Sequence, residues 1–396
     1  MSLHATTEGN RLHIGIFGRR NSGKSSLINA LTGQEIALVS DVAGTTTDPV
    51  KKAMEIAGLG PCVFIDTAGF DDVGELGAMR VDKTKKIIEK TDLALVVFCD
   101  DDISREMAWI KALKELETPV IPVVNKADIL TDAEALCHLI RQSCGLNPIL
   151  VSAKNRAGMD ELRAEIIRQR PGDHEVEEIT GNLAKEGDII LMVIPQDIAA
   201  PKGRLILPQV QTLRELLDKK CVVLCATADK MDAALAALAK PPALIITDSQ
   251  VFPLVYGKKP KESKLTSFSI LFANYKGDLQ HFIKGAKAID ALDENSKVLI
   301  AEACTHAPLT EDIGRAKIPA LLRRKIGEGL QIEVVAGSDF PGDLSPYSLI
   351  IHCGACMFNR KHVLSRIRQA KAQGIPITNY GVVLAKLSGI LDQIDY

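Results

Sequence analysis

The chain has 396 residues, enough for two or three domains whose cores need no disulfide bonds to fold. Charged residues make up 25% of the sequence and hydrophobic residues 46%, which excludes a disordered or collagen-like chain. Its 48 basic and 50 acidic residues give a net charge of −2, and this balance argues against a protein that coats nucleic acid or an anionic membrane.

The apolar runs are too short to cross a bilayer; LALVVF at 93–98 is among the longest. The first eleven residues contain no apolar segment of the signal-peptide type. We therefore expect a cytoplasmic protein with no membrane partner. In such a compartment the nine cysteines are expected to be thiols, metal ligands or redox groups.

Short β-branched runs alternate with longer amphipathic stretches along most of the chain, beginning with HIGIF at 13–17 and CVFID at 62–66. Alternating strands and helices predict mainly parallel sheets covered on both faces. A polar, acidic stretch interrupts the pattern near residue 175, and a basic stretch, YGKKPKESK, interrupts it at 256–264. The predicted fold class is α/β, with three α/β domains in series and mainly parallel sheets. The predicted boundaries are 1–172 for the first domain, 173–185 for a linker, 186–262 for the second domain and 263–396 for the third.

The first motif follows the strand HIGIF, where Gly18 to Ser25 has the spacing G-x-x-x-x-G-K-S and leads into a predicted helix. Phosphates require converging backbone N–H groups at a helix N-terminus, and Gly18 and Gly23 let the backbone wrap closely around them. Lys24 supplies a positive charge to the β- and γ-phosphates, and the Ser25 hydroxyl is placed to hold Mg²⁺. The segment predicts a nucleotide-binding loop.

Two segments between residues 44 and 69 complete the predicted phosphate and Mg²⁺ site. The strand CVFID ends at Asp66, whose carboxylate can hold the Mg²⁺ shell through water, and the Gly69 N–H can sense a γ-phosphate. A threonine in the preceding GTTTD segment can complete the Mg²⁺ shell when GTP is bound. We predict Thr46 for this role, with Thr45 as the second choice.

The predicted base site distinguishes guanine from adenine. The strand PVIPVV runs into Asn125-Lys-Ala-Asp128, where the Asp128 carboxylate can accept both the ring N–H and the exocyclic amine of guanine. The later Ser-Ala-Lys segment at 152–154 offers a backbone contact to the guanine carbonyl. The predicted nucleotide-binding residues are Gly18, Asn21, Ser22, Gly23, Lys24, Ser25, Ser26, Thr45, Thr46, Asp66, Gly69, Asn125, Lys126, Asp128, Ser152, Ala153 and Lys154. The predicted catalytic residues are Lys24, Thr46 and Glu75.

Residues 11–170 resemble the GTPase domains of the Era-, MnmE- and Der-like class. The resemblance implies that Asn21 occupies the position linked to K⁺-activated hydrolysis; the alternative is a loop residue that bonds its own backbone. Phe70 stands after Gly69, where small signalling GTPases have a glutamine. Glu75 is a nearby carboxylate that can orient water, or a solvated loop residue.

A second constellation lies in the last third of the chain. One predicted strand ends in Cys304-Thr-His306 and another in His352-Cys353-Gly-Ala-Cys356. The 45 residues between the two histidines suffice for a helix, a strand and a second helix, so both turns are expected at the same edge of one sheet. Gly354 is expected to free the backbone so that the thiolates beside it converge on one metal centre.

Spacing alone leaves two metals open. Zinc accepts three cysteines and one histidine in a closed tetrahedral site. A 4Fe–4S cluster is usually held by four cysteines, so three would leave one iron to His306, His352, Glu302, water or an outside molecule. Glu302 lies two residues before Cys304, on the same face of a strand. Its alternative role is that of an exposed acid at a strand end.

The pattern C-x-H followed by H-C-x-x-C behind a GTPase domain resembles the HydF family of FeFe-hydrogenase maturation GTPases. The segments CTHAPLTEDIGR and HCGAC carry the resemblance. It implies a 4Fe–4S cluster on Cys304, Cys353 and Cys356, with His306 and His352 as ligands or neighbours. It also implies a scaffold that receives a di-iron precursor with the maturases HydE and HydG and delivers it to apo FeFe-hydrogenase, and a homodimer formed through residues 186–258. On this basis the α/β fold consists of a P-loop GTPase domain, which is the GTP-binding domain at 1–172, followed by two further α/β domains. These are a dimerisation domain at 186–262 and an iron–sulfur cluster-binding domain at 263–396.

Two other functions compete with this one. An RNA- or ribosome-associated GTPase with a structural zinc site is opposed by the near-neutral charge and by the lack of an aromatic-rich basic face. An enzyme that uses the open iron for catalysis is opposed by the lack of an acid–base pair or nucleophile motif beside the cysteines. No nucleic-acid partner is therefore expected.

Overall fold

A computed structural model of the chain describes residues 8–32, 50–56, 59–66, 87–171, 178–196, 205–302, 313–337, 339–355 and 358–396. The chain divides into two compact units, with the division between residues 176 and 177. None of the helices within these ranges is long and apolar enough to cross a membrane.

The first unit contains a six-stranded sheet in the order β2-β3-β1-β4-β5-β6, in which only the β2–β3 pair is antiparallel. Its strands are β1 Leu12–Phe17, β2 Val50–Ile56, β3 Gly60–Asp66, β4 Leu93–Phe98, β5 Val120–Val124 and β6 Ile149–Leu150. Its helices are α1 Lys24–Thr32, α2 Ser104–Glu115, α3 Ala133–Cys144 and α4 Met159–Arg168.

Two separate hydrophobic clusters cover the two faces of this sheet. Apolar residues of α1 and α4 pack on one face, and those of α2 and α3 pack on the other. Because helices cover both faces, the central strands β1 and β4 are buried along their whole length. The predicted P-loop α/β domain is confirmed.

The second unit begins with a four-stranded parallel sheet in the order β10-β9-β7-β8. Its strands are β7 Ile189–Val193, β8 Val222–Ala226, β9 Leu244–Thr247 and β10 Lys264–Ser267. The associated helices are α5 Leu207–Asp218, α6 Met231–Ala236, α7 Phe252–Lys258 and α8 Phe268–Lys276. The sheet extends past residue 262, where the sequence placed a domain boundary, because the basic stretch at 256–264 connects α7 to β10 within one sheet.

The rest of the unit forms another four-stranded parallel sheet, in the order β12-β11-β13-β14. Its strands are β11 Lys297–Glu302, β12 Gln331–Ala336, β13 Leu349–His352 and β14 Ile377–Asn379. The associated helices are α9 Leu279–Ala286, α10 Ile318–Ile326, α11 Arg360–Ala372 and α12 Tyr380–Leu387, and a π-helical turn, Ile313–Lys317, leads into α10. Short 3₁₀ turns lie at Glu8–Asn10, Gly181–Leu183, Ala228–Lys230, Lys287–Ala291 and Leu391–Gln393.

The two sheets of the second unit have the same strand order. If the strands of each are numbered as they occur in the chain, both sheets have the order 2-1-3-4. One hydrophobic core joins them, since Leu191 and Ile245 of one sheet belong to the same buried cluster as Leu299 and Ile351 of the other. In open parallel sheets, ligands bind beyond the carboxyl ends of the strands where the order reverses, which is between β11 and β13 in the later sheet.

Candidate functional site

The predicted phosphate loop connects β1 to α1 through three residues in left-handed backbone conformations. They are Gly18, Asn21 and Gly23, with φ values of 154°, 62° and 89°. A Cβ atom on Gly18 would lie 2.7 Å from the carbonyl oxygen of Val97, and one on Gly23 would collide with the side-chain amide of Asn125. Both glycines are therefore required by close packing as well as by backbone conformation.

The groups predicted to meet Mg²⁺ and the phosphates are brought together. The Ser25 hydroxyl donates to the Asp66 carboxylate at 3.2 Å. The parallel pairing of β1 with β3 causes this meeting, because it aligns Ile16 with Asp66 at the sheet edge. The Lys24 ammonium lies within the loop, where it donates to the carbonyl oxygens of Gly18 and, at 2.9 Å, Arg19.

Asn125 connects the three loops of the nucleotide site. Its side-chain amide donates to the Ser22 carbonyl at 2.9 Å, and its side-chain oxygen accepts from the Ala153 N–H at 3.1 Å. Asn125 is buried. It therefore holds the phosphate loop and the Ser-Ala-Lys loop in a fixed relation.

Asp128 is placed as the base-reading carboxylate requires. Its Oδ1 accepts a hydrogen bond of 2.6 Å from the Ser152 hydroxyl. This bond is the largest of the effects that lower the pKa of Asp128, and Lys154 and Lys126 add to it. The carboxylate is thus ionised near neutral pH and can accept two N–H groups from guanine.

One contact of the phosphate loop was not predicted from the sequence. The Arg19 guanidinium contacts Asp100, Asp102 at 3.1 Å and Glu106 at 3.0 Å, and the Arg19 backbone N–H also bonds Glu106 at 3.3 Å. Glu106 is 1% exposed, so this ion pair is largely buried. The signal in the sequence was the acidic run after β4, but only the fold brings it to residue 19.

Several predicted residues lie outside the described ranges and remain predictions. In the nucleotide site these are Thr45, Thr46, Gly69 and Glu75. In the cysteine constellation they are Cys304, His306 and Cys356. The structure describes Glu302, His352 and Cys353 from that constellation.

The ends of β11 and β13 lie side by side. The two strands pair in parallel with Ala301 opposite His352, and the Cys353 N–H donates to the Ala301 carbonyl at 3.0 Å. The two strands that precede the cysteine-rich segments therefore end side by side at one edge of one sheet, as predicted. This edge is where the strand order reverses.

Cys353 begins a tight turn at this edge. Its sulfur is half-buried and accepts the Ala355 N–H at 3.4 Å. The left-handed residue of the turn is Ala355, with φ of 48°, and Gly354 is not among the left-handed glycines. The expectation that Gly354 lets the flanking thiolates converge remains a prediction, because Cys356 lies outside the described ranges.

His352 is fully buried, and both of its ring nitrogens contact protein groups. Nε2 lies 3.0 Å from a guanidinium nitrogen of Arg366, and Nδ1 lies 2.7 Å from the Cys353 carbonyl oxygen. A guanidinium only donates, so Nε2 accepts and Nδ1 carries the proton. Burial, together with the positive charge of Arg366, lowers the pKa of His352 to about 3. In this arrangement neither nitrogen is available to a metal, which favours the neighbouring role over the ligand role.

Glu302, at the end of β11, contacts one residue of the π-helical turn and one residue of α12. Its carboxylate accepts from Arg315 at 2.9 and 3.1 Å and lies 3.5 Å from the Tyr380 hydroxyl. A Cβ atom on Gly314 would collide with that hydroxyl, so the π-helical turn packs directly against this pair. The predicted use of Glu302 as a metal ligand would require the Arg315 contact to open.

Within the described ranges, no group of three or more His, Cys, Asp or Glu side chains is arranged to hold a metal ion. Two of the three cysteines proposed as ligands lie outside these ranges. The metal site therefore remains a prediction, supported by the sheet edge from which its residues depart.

Comparison with known families identifies all three parts of the chain. Residues 13–126 match the model described as a 50S ribosome-binding GTPase. Residues 179–277 match the hydrogen maturase F dimerization domain, and residues 280–394 match the hydrogen maturase F tetramerization domain. The chain belongs to the hydrogen maturase F (HydF) family. Its first part matches a GTPase domain, and its two later parts match the HydF domains described as dimerization and tetramerization domains.

The HydF tetramerization domain covers most of the stretch for which the sequence predicted a cluster-binding domain. Tetramer formation was not predicted, because no residue pattern in this stretch distinguishes an association surface from an ordinary α/β domain. The two descriptions do not exclude each other, since the cysteine edge occupies one end of the sheet.

Individual relatives match mainly the GTPase portion. The tRNA modification GTPase MnmE of Flavobacterium johnsoniae is 36% identical over 169 residues, which is 40% of this chain and 35% of that protein. GTPase Der of Wolinella succinogenes gives the same values. The chain thus spans about a third of the length of these relatives. A solved structure of a probable GTP-binding protein engB is 24% identical over 40% of this chain and all of that one, with a TM-score of 0.34.

The Asp128 geometry gives a specificity test. We expect Asp128→Asn to weaken GTP binding by at least about 100-fold, because two charge-assisted hydrogen bonds to guanine, each worth about 1.5–3 kcal/mol, are lost. The amide can donate to a base carbonyl, so binding of xanthosine triphosphate should strengthen. Titration calorimetry with both nucleotides measures this, with Asp132→Asn at the exposed N-cap of α3 as the control. Unchanged preference for GTP would contradict the assignment.

The Arg19 contacts predict a role in loop stability. We expect Arg19→Gln to lower the free energy of unfolding of the first unit by about 2 kcal/mol, since Glu106 would remain buried without its cation. GTP affinity should fall as well. Denaturant unfolding and nucleotide titration measure both, and Arg20→Gln, at the adjacent exposed position, is the control. Equal effects of the two substitutions would show that the contacts are unimportant.

Proposed function

We propose that the protein is a GTP-regulated scaffold that binds a 4Fe–4S cluster through Cys304, Cys353 and Cys356 and carries a di-iron precursor to apo FeFe-hydrogenase. The single observation that supports this most is the pairing of β11 with β13. It puts the Cys353 backbone within one hydrogen bond of the strand that leads to Cys304.

The positions of the cysteines relative to this sheet edge are compatible with such a cluster. Cys304 follows Glu302 by two residues and Cys356 follows Cys353 by three, so connectivity keeps each within roughly 12 Å of its described neighbour. The N–H donated by Ala355 to the Cys353 sulfur stabilises a thiolate, the form that binds iron. When bound, the cluster supplies one iron without a cysteine, where an exchangeable ligand can bind.

The protein groups around the edge have different roles in this proposal. Cys304, Cys353 and Cys356 hold the cluster. Glu302 and His306 remain candidates for the fourth position, although Glu302 must first leave Arg315. His352 orients the Cys353 turn.

GTP acts as the regulator rather than as a participant in cluster chemistry. Mg²⁺ binds between Ser25 and Asp66, and K⁺ bound near Asn21 assists hydrolysis. The difference between GTP and GDP states biases docking of HydE, HydG and the apo-hydrogenase. Such couplings are typically about 1–3 kcal/mol.

Self-association fits the edge strand β8. It pairs with β7 on one side, and its outer positions Val222 and Cys225 are exposed, Val222 by 59%. An exposed apolar edge is a template for pairing with a second chain. We propose that two copies associate along β8 within the HydF dimerization domain.

The cluster assignment is tested by anaerobic reconstitution of the full chain with iron and sulfide. We expect the wild-type protein to take up about four irons and four sulfides, as the proposed cluster requires. Cys353→Ala should lose most of the iron and the EPR signal of the reduced cluster. Cys137→Ala is the matched control, because Cys137 is also half-buried but lies in the GTPase unit.

A colourless wild-type protein that retains tightly bound zinc would contradict this proposal. That result would support the alternative of a GTPase with a structural zinc site. Metal analysis of the purified protein distinguishes the two.

The β8 interface has a separate test. We expect Val222→Lys to shift the protein toward a smaller assembly, because the substitution puts a charge on the pairing edge. Light scattering after size-exclusion chromatography measures the mass. Ile129→Lys, at a 69% exposed position of the first unit, should leave the mass unchanged. An unchanged mass for Val222→Lys would place the interface elsewhere.

A further inference from the structure

The sheet edge that carries Cys353 also contains a buried cation. Arg366 of α11 is 3% exposed, and its guanidinium reaches three separate segments. One nitrogen lies 3.0 Å from His352 at the end of β13, and another donates at 2.5 Å to the carbonyl of Gly337 at the end of β12. The guanidinium also stacks on Phe340, 4.8 Å from the ring centre.

These contacts connect the cation to the cysteine through one imidazole. Arg366 donates to Nε2 of His352, and the proton on Nδ1 then donates to the carbonyl of Cys353. Two residues further along the chain, the backbone N–H of Ala355 donates to the Cys353 sulfur. Hydrogen bonds therefore connect the positive charge of Arg366, through the imidazole of His352, to the backbone that carries the Cys353 sulfur.

Burying the Arg366 guanidinium costs desolvation free energy. A functional role beside the cysteine would explain why the charge is retained there. Groups that hydrogen-bond to the ligands of a metal, without binding the metal themselves, fix the orientation of those ligands and change the redox potential of the metal. For an iron–sulfur cluster, the potential depends on net charge, hydrogen bonds to sulfur and solvent exposure. A positive charge that polarises the turn through His352 favours the reduced form of a cluster bound there, because that form carries one more negative charge.

We propose that Arg366 is a positioning residue that acts through His352 to orient Cys353 and to raise the reduction potential of a cluster bound there. This inference rests on the proposed function, since it needs the cluster to be present. It assigns to His352 the task of transmitting the effect of Arg366 rather than that of binding iron.

The test is an EPR-monitored redox titration of the reconstituted full chain. Arg366→Gln removes the charge, and we expect the cluster to be retained but about tenfold harder to reduce, a fall of about 59 mV for a one-electron couple. Arg366→Lys keeps the charge but replaces the planar fork with a single donor point, so a smaller fall is expected. Arg324→Gln makes the same charge change at an exposed position in the last turn of α10, which runs back from this edge, and should not move the potential.

A double substitution tests the path through His352. With His352→Asn already in place, Arg366→Gln should have little further effect on the potential, because the two residues act as one unit. Full additivity of the two shifts would overturn the proposed path.

A purely structural role gives a different result. In that case Arg366→Gln lowers the melting temperature and leaves the potential at the wild-type value. The inference is overturned if a folded Arg366→Gln or Arg366→Lys variant has the same reduction potential as the wild-type protein. If the wild-type protein itself takes up no iron–sulfur cluster, the proposed function fails instead, so the two failures are distinguishable.

Discussion

The parallel pairing of β11 with β13 is the constraint on which the candidate metal edge depends. These strands are separated by 46 residues of sequence, between Glu302 and Leu349, and their pairing brings the ends of the strands before the two cysteine-rich segments to one place. The bond from the Cys353 N–H to the Ala301 carbonyl extends the pairing beyond the last residue of β13. Every further feature of the edge, including the turn at Ala355 and the contacts of His352, is built on this alignment.

The nucleotide site depends on a comparable connection in the first unit. Asn125 follows β5, yet its side chain bonds the Ser22 carbonyl and the Ala153 N–H, which belong to two other loops. Since the bonds are directional and the residue is buried, a shift in one loop must be accommodated by the others. The phosphate and base ends of the site are therefore coupled through one amide.

The strand-end motifs could be predicted because each carries its chemistry in a short segment, as in Gly18 to Ser25. The order of such segments fixed the α/β class, and parallel strands bring their carboxyl ends together. Side-chain contacts over long sequence distances could not be predicted. Arg19 meets Glu106 across 87 residues, and nothing in the local pattern selects that partner.

Some features depend on surroundings that a local pattern does not show. The left-handed conformation of Ala355, beside Gly354, is one of them. The basic stretch at 256–264 looked like a domain boundary because it is polar. It connects α7 to β10 within one sheet, so polarity there marks a surface connection rather than the end of a domain.

The common interior of the two four-stranded sheets has a mechanical consequence. Side chains from both sheets belong to one close-packed cluster, and Arg360 at the start of α11 also donates to the carbonyls of Tyr275, in the last turn of α8, and of Gly277, just after that helix. Interiors packed this densely are hardly compressible and pass displacements on rather than absorbing them. A displacement at the proposed β8 interface would therefore be transmitted through this shared interior to the backbone at Cys353.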